Sequence, residues 1–412
     1  MSIQPNQQFR LINSRLNIFK GALYLFSFTI PLSQYFSVRI LLISFVLTLS
    51  LGLNRITLST LFRSSWDILV YLIVLILGLL YTSDLTQGLR ILETNFSLLA
   101  VPVLLSGLSL NSNQLNRLWQ SFILGLVVAS IICLSFAFVS FSQDHQFAHF
   151  LYYNLTDPIG FQPTYFAYYL SFAICLLLYE LYAKQMKMSR LAIMVVALFL
   201  FLILMLTAGR TAYLGMLLIL SFFILKYFLD DTSNLNRTVA LLSVFLLLSM
   251  LFVNYFDLNT AMINSKDGTD FWERFTLWNS ALQANPNPLF GVGTGDYKDV
   301  ISQYYQTQGM TNYADGSLNS HNEFIQMYFS NGILGLFSLC LLIGRPIYLS
   351  FKVQNPLGIL IIFPFIIYGI TEVFLGRFQG IVFFVFCHQL VIAQYYLIKP
   401  KLILSKKNIL ST

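Results

Sequence analysis

The sequence predicts an all-α, polytopic integral membrane protein with about 12 transmembrane helices and one large extracytoplasmic loop. Three observations lead to this fold class: the apolar composition, the long apolar runs and the uneven placement of Lys and Arg. Of the 412 residues, 57% are hydrophobic and only 10% are charged, whereas a soluble protein carries about 25% charged residues. The chain therefore lacks the polar surface of a soluble enzyme. Its long apolar runs also argue against a transmembrane β-barrel, whose strands alternate polar and apolar residues.

The apolar runs place the predicted spans, because a helix needs about 20 mostly apolar residues to cross a bilayer. The predicted spans lie near 21–37, 39–53, 67–82, 91–108, 118–141, 163–183, 190–207, 211–229, 238–256, 323–343, 357–375 and 379–398. The first, second and fourth runs are short or are interrupted by polar residues. The whole chain, 1–412, is predicted to form a single polytopic membrane domain.

The positions of Lys and Arg predict the orientation. With the N-terminus in the cytoplasm, 17 of the 24 lysines and arginines fall in cytoplasmic segments and seven fall outside. Cytoplasmic loops carry such an excess, so both termini are predicted to be cytoplasmic and the polar segment 257–322 to be extracytoplasmic. The net charge of +7 is then a property of these loops, and we expect no nucleic-acid partner.

The external arginines indicate an anionic ligand. Four of them lie at the ends of predicted spans: Arg39, Arg90, Arg210 and Arg377. The simpler interpretation is a snorkelling or ion-paired side chain, such as Arg90 with Glu93 or Arg377 with Glu372. Arg210, in a short break between two apolar helices, has no acidic neighbour in sequence. Guanidinium groups are suited to phosphate oxygens, so these arginines predict an anion site at the outer membrane surface.

Within the external loop, residues 271–282 have helical spacing. An apolar stripe of Phe271, Phe275, Trp278 and Leu282 predicts a helix that lies on the membrane interface or packs against the bundle. The segment Gly291–Asp296 is rich in glycine, but it lacks the strand and helix of a dinucleotide site. We interpret it as a turn.

His321 is the candidate general base. Ser320 and Glu323 match a capping box, which would place His321 at the first helical position, where the helix dipole disfavours the imidazolium. A neutral imidazole is what a general base requires; the alternative is a hydrogen-bonded interfacial histidine. The cysteines lie in apolar runs, and no Cys/His spacing matches a metal site, so no metal and no cofactor are expected.

Three segments of the chain form a recognisable set of motifs: Ala208-Gly209-Arg210-Thr211-Ala212; Arg274 to Trp278 with Pro288, Gly291-Val292-Gly293 and Tyr297; and His321-Asn322-Glu323-Phe324 leading into Asn331-Gly332-Ile333-Leu334-Gly335. Together they resemble the O-antigen ligase and O-antigen polymerase superfamily of bacterial membrane glycosyltransferases. The resemblance is best over about 200–340. It implies a GT-C-like bundle that takes a glycan from an undecaprenyl pyrophosphate carrier at the periplasmic face of the inner membrane. The acceptor is a hydroxyl of lipid A-core in the ligases and of another glycan in the polymerases.

The resemblance also assigns roles to residues of this chain. It implies that Arg210 and Arg274 bind the pyrophosphate and that His321 is the essential histidine; Arg39 or Arg377 assists. Because the predicted external face has no Asp-x-Asp pair, arginines would carry the leaving-group charge without a metal. His321 would accept the acceptor proton, and attack opposite the leaving group predicts inversion at the sugar.

Other functions remain open on the sequence. A polymerase shares the donor and the residues with a ligase, because the acceptor is chosen by the shape of the external loop. A protein-directed oligosaccharide transferase is a third possibility. A polysaccharide transporter or flippase also has about twelve helices, but such folds show internal repeats and charges near the bilayer midplane. No repeat is visible here, and the charges are predicted to cluster at one face.

Overall fold

The structure is a computed structural model that describes residues 5–52, 58–106, 110–183, 188–207, 213, 215–216, 244, 271–316 and 318–410. Its α-helices are α1 (Pro5–Thr29), α2 (Gln34–Gly52), α3 (Leu58–Gly78), α4 (Leu85–Thr94), α5 (Ser97–Ser106), α6 (Ser112–Asp144), α7 (Tyr152–Thr156), α8 (Pro163–Ala183), α9 (Arg190–Thr207), α10 (Phe271–Gln283), α11 (Tyr297–Thr307), α12 (Thr311–Asp315), α13 (Glu323–Lys352), α14 (Pro356–Thr371) and α15 (Phe378–Leu410). Short 3₁₀ helices lie at Phe147–Phe150, Asp157–Ile159 and Phe374–Gly376. The described residues contain no strand.

The predicted fold class is confirmed. Within the described residues, seven helical segments are long and apolar enough to cross a bilayer. They are Ser59–Gly78, Leu85–Leu105, Ser112–Asp144, Pro163–Leu181, Arg190–Thr207, Glu323–Lys352 and Phe378–Pro400, and Gln34–Thr48 and Pro356–Thr371 are shorter apolar helices. The chain is therefore an all-α, polytopic membrane protein. The predicted spans 211–229 and 238–256 lie almost wholly outside the described residues.

One predicted span boundary is wrong. The predicted first span, 21–37, is divided by a turn, because α1 ends at Thr29 and α2 begins at Gln34. Pro31 lies in that turn and has no N–H with which to continue α1. The predicted span 91–108 overlaps the apolar segment Leu85–Leu105, which contains both α4 and α5 because α4 ends at the C-cap Asn95.

The described helices fall into two compact units. The first contains α1, α2 and α6–α9; the second contains α4, α10–α15 and most of α3. In the first unit, α1 crosses α6 closely: the Ser27 hydroxyl donates to the Leu118 carbonyl at 2.7 Å, and a Cβ on Gly125 would collide with the Phe28 carbonyl. Helix α8 is buried along nearly all its length, as expected of a helix that is apolar on every face.

In the second unit, a buried ionic cluster joins α3, α13 and α15. Arg345 Nη1 donates to Asp67 Oδ1, and His388 Nε2 lies 2.7 Å from Asp67 Oδ2. Gln389 Nε2 is 3.1 Å from the other ring nitrogen of His388. Asp67 and His388 are fully buried and the Arg345 side chain is only 7% exposed, so these ionisable groups lie inside the protein.

The described part of the large loop packs against α13. Apolar side chains of α10, α11 and α12 form one core with Phe329 of α13: Leu277, Ala281, Ile301, Tyr305 and Ala314. The predicted helix over 271–282 is present as α10. Its buried apolar residues include Leu277 and Ala281, whereas Phe275 and Leu282 of the predicted apolar stripe are 54% and 48% exposed.

Helix α13 is broken at Asn331 and Gly332, and the loop provides hydrogen-bond partners for backbone groups that the break leaves unpaired within the helix. Gly332 has φ 63° and ψ −157°, a conformation that essentially only glycine adopts. The Ile333 N–H, which would donate to Phe329 in a continuous helix, donates instead to the Pro288 carbonyl at 2.9 Å. The freed Phe329 carbonyl accepts from Val292 N at 3.0 Å. The loop and the first half of α13 therefore form one hydrogen-bonded assembly.

Asp296 fixes the turn Gly291–Asp296 to the segment that follows α3. Its carboxylate accepts from Ser83 N and Asp84 N, both at 2.7 Å, and from the Thr82 hydroxyl at 2.8 Å. Burial alone would raise the pKa of Asp296, but these hydrogen bonds outweigh it and lower the pKa below its ordinary value. The glycine-rich segment is thus a turn held by a carboxylate.

Candidate functional site

His321 lies in the segment that precedes α13. Its φ is 44°, a left-handed conformation that is uncommon for a residue other than glycine. Its N–H donates to Asn319 Oδ1 at 2.9 Å. Non-glycine residues held in this conformation cluster at functional sites, so the backbone itself marks His321 as a candidate.

The predicted capping box is wrong. Asn322, not Ser320, caps α13: its side-chain oxygen accepts from Phe324 N at 3.0 Å and from Ile325 N at 3.1 Å. Ser320 instead donates to the Asn322 carbonyl at 2.9 Å. His321 therefore precedes the cap and is not the first helical residue, so the argument from the helix dipole does not apply to it.

Arg274, on α10, reaches the end of α14. Its Nη1 donates to the Thr371 carbonyl at 2.7 Å, and its Nη2 lies 3.7 Å from Oε1 of Glu372. Glu372 is therefore an ionic partner of Arg274, a pair that the sequence did not suggest.

Glu372 also contacts His321, and this brings two of the predicted site residues together. Its Oε2 lies 3.4 Å from Nδ1 of His321. The distance is that of an ion pair, but the geometry is not that of a hydrogen bond, and Nδ1 is buried without a hydrogen-bond partner. The three side chains are each 17–25% exposed. We call Arg274, Glu372 and His321 the Arg–Glu–His cluster.

Glu372 was missed as a site residue by the sequence reasoning. It directly follows the last residue of α14 and has extended backbone dihedral angles, so its carboxylate turns away from the helix axis. The available signal was an acidic residue near the end of a predicted span. Sequence proximity offered Arg377 as one possible ion-pair partner, and the described partners are Arg274 of α10 and His321 of the segment before α13.

Arg377 lies at the other end of the same loop, next to the 3₁₀ helix Phe374–Gly376, and it is exposed. Its charge acts on Tyr297, the first residue of α11. Burial raises the pKa of Tyr297 to about 12; the Glu323 carboxylate adds to the rise and the Arg377 guanidinium opposes it. The charges of Glu323 and Arg377 therefore both act on Tyr297, near the N-terminal end of α13.

The remaining predicted site residues are not joined to the cluster by the described contacts. Arg39 lies in the second turn of α2, in the first unit, where it is exposed and its guanidinium stacks 3.4 Å from the ring centre of Tyr35. Arg210 lies outside the described residues. Among the residues that the structure describes, no three His, Cys, Asp or Glu side chains converge as metal ligands would.

The fold and the site define a class of protein: a multi-pass, all-α membrane protein that carries a partly buried Arg–Glu–His cluster where α13 begins and α14 ends. A family model described as O-antigen ligase matches residues 192–340. This segment is similar to the O-antigen ligase family, and the resemblance drawn from its motifs is supported by that match. Arg210, Arg274 and His321 fall inside the match, whereas Glu372 and Arg377 follow it.

The chain is also similar to an uncharacterized protein of Haemophilus influenzae, with 28% identity over 141 residues. The similar segment covers 31% of this chain and 35% of that protein. The chain thus spans about a third of the length of the curated relative that it matches.

Proposed function

We propose that this protein is an O-antigen ligase-type glycosyltransferase of the bacterial inner membrane, with both termini in the cytoplasm. It would move a glycan from undecaprenyl pyrophosphate to a hydroxyl of lipid A-core at the periplasmic face. The observation that carries the proposal is the Arg–Glu–His cluster, in which one carboxylate contacts both the family arginine Arg274 and the family histidine His321. Such a cluster combines a base with a group that orients it.

In this proposal His321 is the general base. The Glu372 carboxylate faces Nδ1, so it favours the tautomer with the hydrogen on Nδ1 and leaves Nε2 as the acceptor for the hydroxyl proton. A carboxylate that orients an imidazole in this way is the arrangement of hydrolytic triads. A distance of 3.4 Å is long for such a contact, but catalytic hydrogen bonds often tighten only when substrate binds.

The arginines would stabilise the leaving group. A guanidinium has five N–H donors; Arg274 uses one on the Thr371 carbonyl and directs a second nitrogen toward Glu372. Its remaining donors are available to a pyrophosphate oxygen. Arg377 is exposed at the other end of the loop that bears Glu372, and the family resemblance assigns it an assisting role. Arg210 and Arg39 are assigned to the same role by the family resemblance.

The proposed step balances without a cofactor. The acceptor oxygen forms a bond to the anomeric carbon while the bond from that carbon to the phosphate oxygen breaks. The electron pair leaves with undecaprenyl pyrophosphate, and the acceptor proton passes to His321. Attack opposite the leaving group inverts the anomeric configuration. The arginines supply the electrostatic stabilisation that a metal ion would otherwise provide, so we expect transfer to be independent of metal.

The test is transfer in detergent with purified protein, a defined carrier-linked glycan and lipid A-core, with and without a chelator. We expect wild-type transfer in both conditions and a loss of about 10²–10⁴-fold in His321→Ala, as for removal of a general base. Membrane insertion and thermal stability of the variant should be unchanged. Transfer by His321→Ala close to that of the wild type would remove the assignment of the base.

A knockout distinguishes the ligase from the polymerase with the same donor chemistry. Loss of a ligase leaves long glycans on the carrier, whereas loss of a polymerase leaves single repeats attached to the acceptor. A transporter is separated by the detergent assay itself, because transport requires a sealed compartment and glycan transfer does not.

A further inference from the structure

Glu323 is the most deeply buried carboxylate near the Arg–Glu–His cluster, at 1% exposure. It is the first residue of α13, but it does not cap that helix, since Asn322 does. Its Oε2 accepts instead from the backbone N–H of Leu375 at 2.7 Å. A buried carboxylate without a partner would be costly, so this hydrogen bond ties the start of α13 to the 3₁₀ helix Phe374–Gly376.

That 3₁₀ helix lies in the loop that carries two site residues. The loop joins α14 to α15; Glu372 precedes the 3₁₀ helix and Arg377 follows it directly. On its apolar side the loop is held by Phe374, which is fully buried and packs against Phe365 with ring centres 5.6 Å apart. Its polar contacts include the hydrogen bond that Glu323 accepts from Leu375 and the ion pair of Glu372 with Arg274.

The segment 321–323 therefore holds the loop at two points. His321 contacts Glu372 through its ring, and Glu323, two residues later, accepts from Leu375. Close packing supports this junction: a Cβ on Gly369 of α14 would approach Phe374 at 3.1 Å and Phe324 at 3.2 Å. Loss of the Glu323 contact would remove the point that holds the 3₁₀ helix to the start of α13.

We propose that Glu323 is a positioning residue, which sets Glu372 and Arg377 at their working distances from His321 through its hydrogen bond to Leu375. The proposal rests on the proposed function for its catalytic consequence. Glu323 itself is not the proton acceptor, because its side chain is buried and one carboxylate oxygen is already occupied. A misplacement of about 1 Å in such a site can cost about 10²-fold in rate.

Two substitutions of Glu323 distinguish a residue that holds the loop by a hydrogen bond from one that takes part in the reaction. Glu323→Gln keeps an oxygen that can accept from Leu375 and removes the charge, so transfer should stay within about threefold of the wild type. Glu323→Ala removes the acceptor, and kcat should fall about 10–100-fold, as for loss of a group that orients a site. Asp299→Ala, exposed on α11, is the control and should have no effect. An equal loss in Glu323→Gln and Glu323→Ala would overturn the proposal.

A second measurement does not depend on activity. Hydrogen exchange of the segment 372–377 should be faster in Glu323→Ala than in the wild type and unchanged in Glu323→Gln. Unchanged exchange in Glu323→Ala would show that the anchor does not hold the loop and would refute the inference. If the wild type transferred no glycan, the proposed function would fail, and the exchange result would still decide whether Glu323 holds this loop.

A double-mutant cycle tests the route through Glu372. If Glu323 acts by positioning Glu372, then Glu323→Ala should cost much less in a Glu372→Gln background than in the wild type, because residues that act together are not additive. Full additivity of the two losses would contradict the coupling.

Discussion

At the scale of single residues, Glu372 joins the electrostatics of the candidate site to its proton chemistry. One carboxylate oxygen lies 3.7 Å from the Arg274 guanidinium and the other lies 3.4 Å from the His321 ring. All three side chains are largely shielded from water, so salt screens their interactions less than it screens surface pairs. Glu372 can therefore orient His321 while Arg274 holds the carboxylate in place.

The first prediction concerns Glu372→Gln, which preserves the size of the side chain and removes its charge. We expect kcat for glycan transfer to fall about 10²-fold or more, because the imidazole is no longer held in the tautomer that accepts a proton at Nε2. KM for the donor should change little. The comparison variant is Asp315→Asn, an exposed carboxylate at the end of α12; an equal loss in both variants would contradict the role of Glu372.

The sequence motifs predicted two residues of this site, but distance in sequence did not identify Glu372 as their partner. Arg274 and His321 were selected from the motifs, and the structure brings both to Glu372. Sequence proximity offered Glu372 only as an alternative ion-pair partner of Arg377. Hydropathy and spacing carry no information about which helix ends meet, so the ionic partner from α10 could not be identified before the fold.

At the scale of elements, the break in α13 joins that helix to the large loop, because loop backbone groups hydrogen-bond to the groups that the break leaves without a helical partner. The backbone of the turn Gly291–Asp296 and of Pro288 supplies hydrogen bonds that the broken helix lacks. The junction places the first turns of α13, and with them the segment of His321, against the packed loop. Substitutions at the junction should therefore lower the stability of the protein more than they lower the rate of glycan transfer.

The second prediction compares two glycines of α13. Gly332→Ala should destabilise the protein by more than about 2 kcal/mol, because the backbone conformation excludes a side chain and the new Cβ would collide with the Leu289 carbonyl. Gly344→Ala, where nothing lies within 4 Å, should be neutral or stabilising by up to about 1 kcal/mol. Thermal unfolding in detergent measures both; similar shifts for the two variants would refute the interpretation of the break.

The third prediction concerns the Asp296 turn and pH. The native pKa of Asp296 is lowered relative to an unfolded value of about 3.9. Its stabilising contribution is therefore fully present above the unfolded pKa and is lost as pH falls through the native pKa. Wild-type stability should decline below about pH 4 more steeply than that of Asp296→Asn, which has already lost the carboxylate. Parallel pH dependence of the two proteins would exclude this contribution.

The sequence predicted helices where their residues form long apolar runs. It did not predict the ends of helices that depend on single side chains. Long apolar runs identified α6, α8 and α9 with boundaries close to those observed. The ends of other elements depend on single side chains, such as Pro31 between α1 and α2 and Asn322 at the cap of α13. Several residues near each end satisfy the same capping rules, so pattern alone chose Ser320 and Glu323 wrongly.

At the scale of the whole molecule, composition determined the class of protein but not its polar interior. A charged fraction of 10% required a membrane protein, and charge counting suggested that charges lie at the faces. Charge counting did not reveal the cluster of Asp67, Arg345 and His388, because Arg345 and His388 are 278 and 321 positions from Asp67 in sequence and meet it only in the folded protein. Ionisable residues buried in this way are costly and are usually retained for a reason.

The fourth prediction follows from the charge balance of that cluster. Asp67→Leu leaves the buried Arg345 guanidinium without its carboxylate and should destabilise the protein by about 3–5 kcal/mol, because breaking a buried ion pair exposes an uncompensated charge to the apolar interior. The double variant Asp67→Leu/Arg345→Leu removes both charges and should recover much of that loss, since apolar replacement of a whole pair is often neutral. Thermal unfolding in detergent compares them, with Asp299→Leu as the exposed control. If the double variant is less stable than Asp67→Leu alone, Arg345 stabilises the bundle independently of Asp67, and the cluster is not a unit.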